Sequence, residues 1–360
     1  MIEVDSSIGE GGGAVLRTAL ALSAVSQRSI HIFNIRAKRT KPGLQPQHMH
    51  GVKVLAELTN ARVEGLGLHS KELKFEPSTI EGGRYRVDIG TAGSTTLILQ
   101  ILMPAAAFAR KPVEVEITGG TDNPLAPPID FLKNVTLPML RKMGYQGEAE
   151  CVRRGHYPRG GGIVRAHIEP VEKLQALKLT EPGKVARIAG VAHCVRLPSH
   201  IATRMSHAAS MVLIKAGYSK VDIKAESYEP ARDPHLGPGA GIVLWAETEQ
   251  GAILGASSLG RPGKPAEQVG LEAAESLARQ LDTGCVVDRY LTDQLIPYMA
   301  LADGSSDITS TELTSHTLTN ISLVEQIIGV KFEVEGQLGG PGKIHVEGLG
   351  FSRHFQPPNF

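Results

Sequence analysis

The sequence predicts an α+β fold of three β-α-β-α-β-β units, with a smaller α/β domain inserted into the third. Three observations carry this. Polar–apolar alternation and apolar spacing of three and four recur in the same order over residues 2–76 and 84–169. The rhythm changes after Pro182-Gly183, and the first pattern resumes over 288–347. The repetition lies in pattern rather than in letters. The expected division is a unit-built body over 1–183 and 280–347, an inserted domain over 184–279 and a peripheral tail over 348–360.

Residues 2–5 (I-E-V-D) read as a short strand running into a glycine turn, and Leu16, Leu20 and Ala24 share one face of a helix over 13–26. Residues 29–35 (S-I-H-I-F-N-I) alternate as a strand does. A basic loop bounded by Pro42 and Pro46 follows. Met49, Val52 and Leu55 then set a helix over 47–59, and strands near 61–65 and 72–76 close the unit. In the second unit R-Y-R-V-D-I at 84–89 is a strand, Gly90 to Gly93 turn into an apolar helix over 94–109, and V-E-V-E-I-T at 113–118 is the cleanest strand. A Gly/Pro loop leads into one helix over 129–143 and strands near 147–153 and 163–169. The insert offers strands near 185–195, 219–225, 242–248 and 252–259, with helices over 199–216 and 265–280. The resumed pattern gives a helix over 288–301, a strand near 307–311, a helix over 319–328 and strands near 331–335 and 343–347.

Composition narrows the function classes. Against 37 acidic residues stand 38 basic ones, which excludes a protein held on nucleic acid by bulk charge. Aromatics at 4% argue against a base-stacking platform for single strands. Cys151, Cys194 and Cys285 form neither a metal-spaced pair nor a disulfide framework, the pattern of reduced thiols in a cytoplasmic protein. Glu3 and Asp5 exclude a signal peptide, and the longest apolar run, 97–109, is broken by Gln100 and Pro104, so no membrane span is expected.

Several clusters could carry chemistry. Gly9-Glu10-Gly11-Gly12-Gly13-Ala14 fits G-x-G-x-x-A, but the second strand ends at Asn34 and the next charge is Arg36, so the acid of a dinucleotide site is missing. A glycine turn at a helix N-terminus still suits an anion. Glu10 there would repel phosphate unless a cation bridges them, which makes it a Mg²⁺ ligand candidate; a solvated acid in a tight turn has the same spacing. Arg36, Lys38, Arg39 and Lys41 share one loop, with Arg17 and Gln47 nearby, and guanidinium groups bind phosphate bidentately. An ordinary solvated loop would look alike. Among 13 histidines no pair shows H-x-x-x-H spacing, and His48 and His50 diverge on a helix. His316, in T-S-H-T-L-T-N at a strand-to-helix boundary, can have one ring nitrogen held and the other free to attack, although a capping role fits too. The loop 119–128 offers a rigid wall for a flat base, and Tyr290, Asp293 and Gln294 share a helical face suited to base stacking and ribose recognition.

Together these segments resemble the RNA 3′-terminal phosphate cyclase family. The motifs are G-E-G-G-G at 9–13, I-R-A-K-R-T-K-P-G-L at 35–44, Q-H at 47–48, G-T-A-G-S-T-T-L-I-L-Q at 90–100, G-G-T-D-N-P-L-A-P-P at 119–128, H-Y-P-R-G-G-G at 156–162, Y-L-T-D-Q at 290–294 and H-T-L-T-N at 316–320. The resemblance implies repeats like those of enolpyruvate transferases, and a ligase that converts an RNA 3′-phosphate to a 2′,3′-cyclic phosphate with ATP and Mg²⁺ or Mn²⁺. It makes His316 the nucleophile that takes AMP from ATP and passes it to the RNA 3′-phosphate, from which the 2′-hydroxyl displaces it. It puts Gln100, Pro127, Tyr290, Asp293 and Gln294 around the adenylate, Arg17, Arg36, Arg39 and Gln47 toward the RNA end, and Glu10 on the metal. RNA 3′-phosphate ends and ATP are the implied partners, and a homodimer is compatible with it. The rivals are a non-catalytic relative serving ribosome assembly, which would lack the histidine, and an enolpyruvyl transferase, which would leave the insert unexplained.

Overall fold

The computed structural model describes residues 1–353. Its first sheet uses β1 (Ile2–Asp5), β2 (Ile30–Phe33), β3 (Arg62–Glu64) and β4 (Leu73–Glu76), joined through α1 (Gly13–Ser26) and α2 (Pro46–Thr59). β1 lies parallel to β2, β2 antiparallel to β4, and β4 antiparallel to β3. The second sheet takes β5 (Gly83–Asp88), β6 (Val113–Gly119), β7 (Gln146–Arg153) and β8 (Gly162–Glu169) in the same pairing pattern, order β5-β6-β8-β7. Its helices are α3 (Thr95–Ala106) and a composite: α4 (Ile129–Phe131), a π turn (Leu132–Thr136) and α5 (Leu137–Lys142). The single helix expected over 129–143 is therefore interrupted.

The third sheet opens with a strand that alternation does not reveal, β9 (Lys178–Leu179). The chain then builds another sheet from β10 (Val185–Val195), β11 (Val221–Glu226), β12 (Gly239–Thr248) and β13 (Ile253–Leu259), covered by α6 (His200–Lys215) and α7 (Ala266–Asp282). Those strands pair among themselves, in the order β11-β10-β12-β13. The chain returns through α8 (Arg289–Leu301), β14 (Asp303–Ser310), α9 (Ser315–Ile327), β15 (Phe332–Gly336) and β16 (Gly342–Leu349). β9 lies parallel to β14, β14 antiparallel to β16, and β16 antiparallel to β15, the pairing of the first two sheets again. β14 begins four residues earlier than expected and so does α9, because Thr314 caps the helix by accepting from Thr317 N at 3.1 Å.

Helices α1, α3, α8 and α9 meet at the centre, with Leu16, Leu20, Ile98, Leu295 and Leu323 fully buried. Each such side chain contributes about 1.5–3 kcal/mol through burial. Every residue of α3 is buried except Gln100, so this helix packs on all sides and leaves one polar group facing elsewhere. Of the tail expected over 348–360, residues 354–360 lie outside the described residues. Ahead of them Phe351 is buried with its ring edge-on to Phe108 at 4.8 Å. Among the described residues no helix is long and apolar enough to cross a membrane.

Candidate active site

A cavity of about 1480 Å³ opens where α1, α3, α8 and α9 meet, and His316 is on its wall. The early start of α9 puts His316 in the first helical turn, where the positive end of the dipole disfavours an imidazolium. Its Nε2 lies 3.4 Å from Glu10 Oε2, and Arg39 Nη2 lies 3.3 Å from the same oxygen. Burial pulls the imidazole below its ordinary pKa; Glu10 opposes this, and the Arg17 and Arg39 charges add to it. The ring is thus neutral at pH 7, with a lone pair available.

The glycine turn sets Glu10 there. Gly9 has φ +55°, and a Cβ on it would stand 2.3 Å from Thr319 Oγ1 of α9. A Cβ on Gly13 would meet His48 Nε2 at 2.6 Å and Arg17 Nη1 at 3.1 Å. Only glycine lets the turn press against α9 and the start of α1 against these two side chains.

Helix α8 forms the facing wall. Asp288 caps it, accepting from Tyr290 N at 2.8 Å and Leu291 N at 2.9 Å, and its other oxygen accepts from Gly255 N of β13 at 2.9 Å. Tyr290, Asp293 and Gln294 all line the cavity. Tyr290 is 47% exposed, edge-on to Phe131, with the Arg289 guanidinium 5.4 Å from its ring centre. Gln294 accepts from Thr136 Oγ1 at 3.0 Å and donates to Tyr290 O at 2.8 Å, so its amide is fixed. Burial pushes the Asp293 carboxyl up to about 7 against the pull of Arg17. Burial also lowers Arg17 to about 10, which leaves it charged.

Pro297 lacks the N–H that would bond the carbonyl of Asp293 four residues back. Asn320 Nδ2 of α9 fills that carbonyl at 2.8 Å, while Thr18 of α1 donates to Asn320 Oδ1 at 2.9 Å. One side chain thereby ties together the helices that carry Arg17, Asp293 and His316. Gln100 and Pro127 complete the wall, the latter with its carbonyl held by Thr96 Oγ1 at 2.7 Å.

Residues 8–334 match the model of the RNA 3′-terminal phosphate cyclase family. The chain belongs to this family. A relative from Methanopyrus kandleri named RNA 3′-terminal phosphate cyclase, an enzyme, is 49% identical over 346 residues, 96% of this chain and 98% of the relative. One of the same name from Ignicoccus hospitalis is 49% identical over 354 residues, 98% of this chain and 100% of the relative. Another from Pyrococcus abyssi is 48% identical over 346 residues, 96% and 98%.

Within this family member, Glu10, Arg17, Gln100, Pro127, Tyr290, Asp293, Gln294, His316 and Arg39 share one cavity. Arg36 and Gln47, expected toward the RNA end, stand outside the cavity wall formed by the described residues. Arg36 donates to the carbonyls of Lys41 at 2.5 Å and Gly43 at 2.9 Å, closing its own loop. Gln47 accepts from Ser94 N at 2.9 Å, tying α2 to the turn before α3. Both polar ends are committed to backbone. Sequence reasoning missed Asp288, whose place before a helix is a cap signature, and Asn320, whose role depends on a carbonyl that Pro297 frees.

Proposed function

We propose that the chain uses ATP to convert an RNA 3′-terminal phosphate to a 2′,3′-cyclic phosphate through a histidine-AMP and an RNA-adenylate. The observation that carries this is a neutral imidazole in a cavity beside Glu10, Arg17 and Arg39, facing Tyr290, Asp293 and Gln294. The relatives' shared name supports the overall reaction. His316 Nε2 attacks the α-phosphorus and forms a P–N bond as the bond to pyrophosphate breaks. An oxygen of the RNA 3′-phosphate then takes the AMP and the imidazole leaves. Finally the 2′-hydroxyl attacks that phosphate, losing its proton, and AMP departs.

Arg17 and Arg39 offset the repulsion between two phosphate groups, and Arg36 and Gln47 support the turns behind them. Glu10 would hold Mg²⁺ or Mn²⁺, for which a hard carboxylate oxygen in a phosphate-binding cavity is a fitting donor, and that ion would neutralise phosphate charge. A non-catalytic assembly role is not favoured, since the relatives carry the cyclase name.

The same reading takes the body as three β-α-β-α-β-β repeats over 1–183 and 280–347, resembling enolpyruvate transferases, with an insert over 184–279. The shared pairing of three sheets supports it. A cytoplasmic setting is supported by three cysteines without a disulfide among the described residues.

Incubation with ATP labelled at the α-phosphorus, followed by denaturation, tests the first step: label stays on the protein, is lost in acid and survives alkali. No retained label would end the proposal. Tyr290→Ala should raise the ATP requirement about 5- to 150-fold, the range for losing one base–aromatic stack, while Tyr290→Phe stays near the parent. Equal ATP dependence in Tyr290→Ala and parent would remove the ring from the adenine site.

The pH profile follows from Asp293. A ribose hydroxyl donates to the ionised carboxyl, so AMP capture at low ATP should rise with pH and level off above about 7. Burial holds the His316 imidazole below its ordinary value, so its own titration falls at lower pH than that of Asp293. Asp293→Asn should flatten this limb; an unchanged limb would assign it to another group.

A further inference from the structure

At the cavity's edge beside the inserted sheet lies a cluster that the reaction above does not use. One potential ligand atom from each of Asp122, His156 and His193 lies within 4.8 Å of the other two, and all three residues are buried. Asp122 Oδ1, His156 Nε2 and both ring nitrogens of His193 have no hydrogen-bond partner. Buried polar atoms in native proteins are almost always satisfied, and four orphans in one spot point to a missing ligand. The other oxygen of Asp122 is occupied by Thr121 Oγ1 at 2.6 Å, which leaves Oδ1 aimed at the imidazoles. From Oδ1 to His193 Nε2 is 3.8 Å. Around a tetrahedral zinc with bonds of about 2.0–2.2 Å, neighbouring ligand atoms stand about 3.4 Å apart, so drawing the three donors together by up to about 1.4 Å would fill three of its four positions.

We propose that Asp122, His156 and His193 bind a zinc-class divalent cation that pins the inserted sheet to the body. The three ligands come from three places: the loop after β6, the loop between β7 and β8, and β10 of the insert. The insert is shaped for this, since a Cβ on Gly239 of β12 would fall 2.0 Å from the His156 ring. Two imidazole nitrogens and a carboxylate oxygen form a donor set suited to zinc, whereas magnesium prefers oxygen ligands.

Charge agrees. Asp122, Asp130 and Glu226 surround the single guanidinium of Arg154, which donates twice to Glu226 at 2.7 and 2.9 Å and lies 2.8 Å from Asp130. A divalent cation offsets the excess of carboxyls. Entry is open as well, because Asp122 and His156 reach the cavity lining and His193 stands behind them.

The test uses the untagged full chain grown with zinc and dialysed against metal-free buffer. Elemental analysis should find about one zinc per chain, and Asp122→Asn and His193→Ala should each hold less than a tenth of that. His316→Asn, with this cluster intact, should keep the full complement. Stripping the parent with a chelator and restoring zinc should raise its thermal midpoint by about 3 °C or more, and magnesium should not substitute. Less than a tenth of an equivalent in folded parent given excess zinc would overturn the site. So would full zinc in the folded Asp122 or His193 variants. An unchanged midpoint would overturn the pinning. Should a variant fail to fold, titration of the parent decides by itself.

Discussion

Replacing His316 by asparagine is expected to abolish capture of labelled AMP and to lower cyclisation of RNA 3′-phosphate by about 10⁴-fold or more, the scale for losing a nucleophile. The substitution is mild for the fold, because the side chain is 36% exposed and helix capping rests on Thr314. Asparagine keeps a polar group of smaller size but has no nucleophilic nitrogen. ATP should still bind, since Tyr290, Asp293 and Gln294 are untouched. The chemistry of the adduct gives a second check. Protonation of a P–N bond makes imidazole a good leaving group, so the adduct is acid-labile and alkali-stable, unlike a serine or carboxylate ester. RNA offered with its 3′-phosphate already adenylylated should still be closed by the variant, because that step needs the 2′-hydroxyl and not the histidine. Labelled AMP retained by His316→Asn would move the nucleophile to another residue.

How far the sequence carried the reading depended on the range of the signal. Alternation located β6 and helical spacing located α1, since each pattern is local and buried on one side or both. β9 escaped because two residues cannot show a period; its strand character comes from β14, about 130 positions away. The π turn within 129–142 escaped as well, since apolar spacing alone does not separate a π turn from an α-helix; Pro138, which has no N–H to bond the carbonyl of Asn134, stands just after it. Within the site, Tyr290, Asp293 and Gln294 were legible as one helical face. The approach of Glu10 to His316, some 300 residues apart, was not a matter of spacing and came only through the family resemblance. The motifs at 119–128 and 156–162 contain Asp122 and His156, but no sequence interval groups them with His193.

Arg39→Ala is expected to lower cyclisation by about 10²-fold or more while AMP capture at pH 8 stays within about threefold of the parent. The second step brings the RNA phosphate against the histidine-bound adenylate, and Arg39 stands on the same cavity wall as His316. Capture itself changes little, although Arg39 helps to lower the pKa of His316 and its loss frees Glu10 to pull the other way. Both changes raise the imidazole pKa, but from a lowered start, so at pH 8 the ring is neutral in either protein. Arg36→Ala supplies the contrast. Its guanidinium holds two backbone carbonyls of its own loop, and losing them should cost about 1–3 kcal/mol of stability, read as a lower thermal midpoint. Cyclisation at a temperature well below that midpoint should fall less than tenfold. Neighbours in one basic loop would then divide between chemistry and scaffold, as their partners do. An Arg36→Ala loss matching that of Arg39→Ala would return Arg36 to the RNA site, and an equal loss of capture and cyclisation in Arg39→Ala would assign Arg39 to ATP.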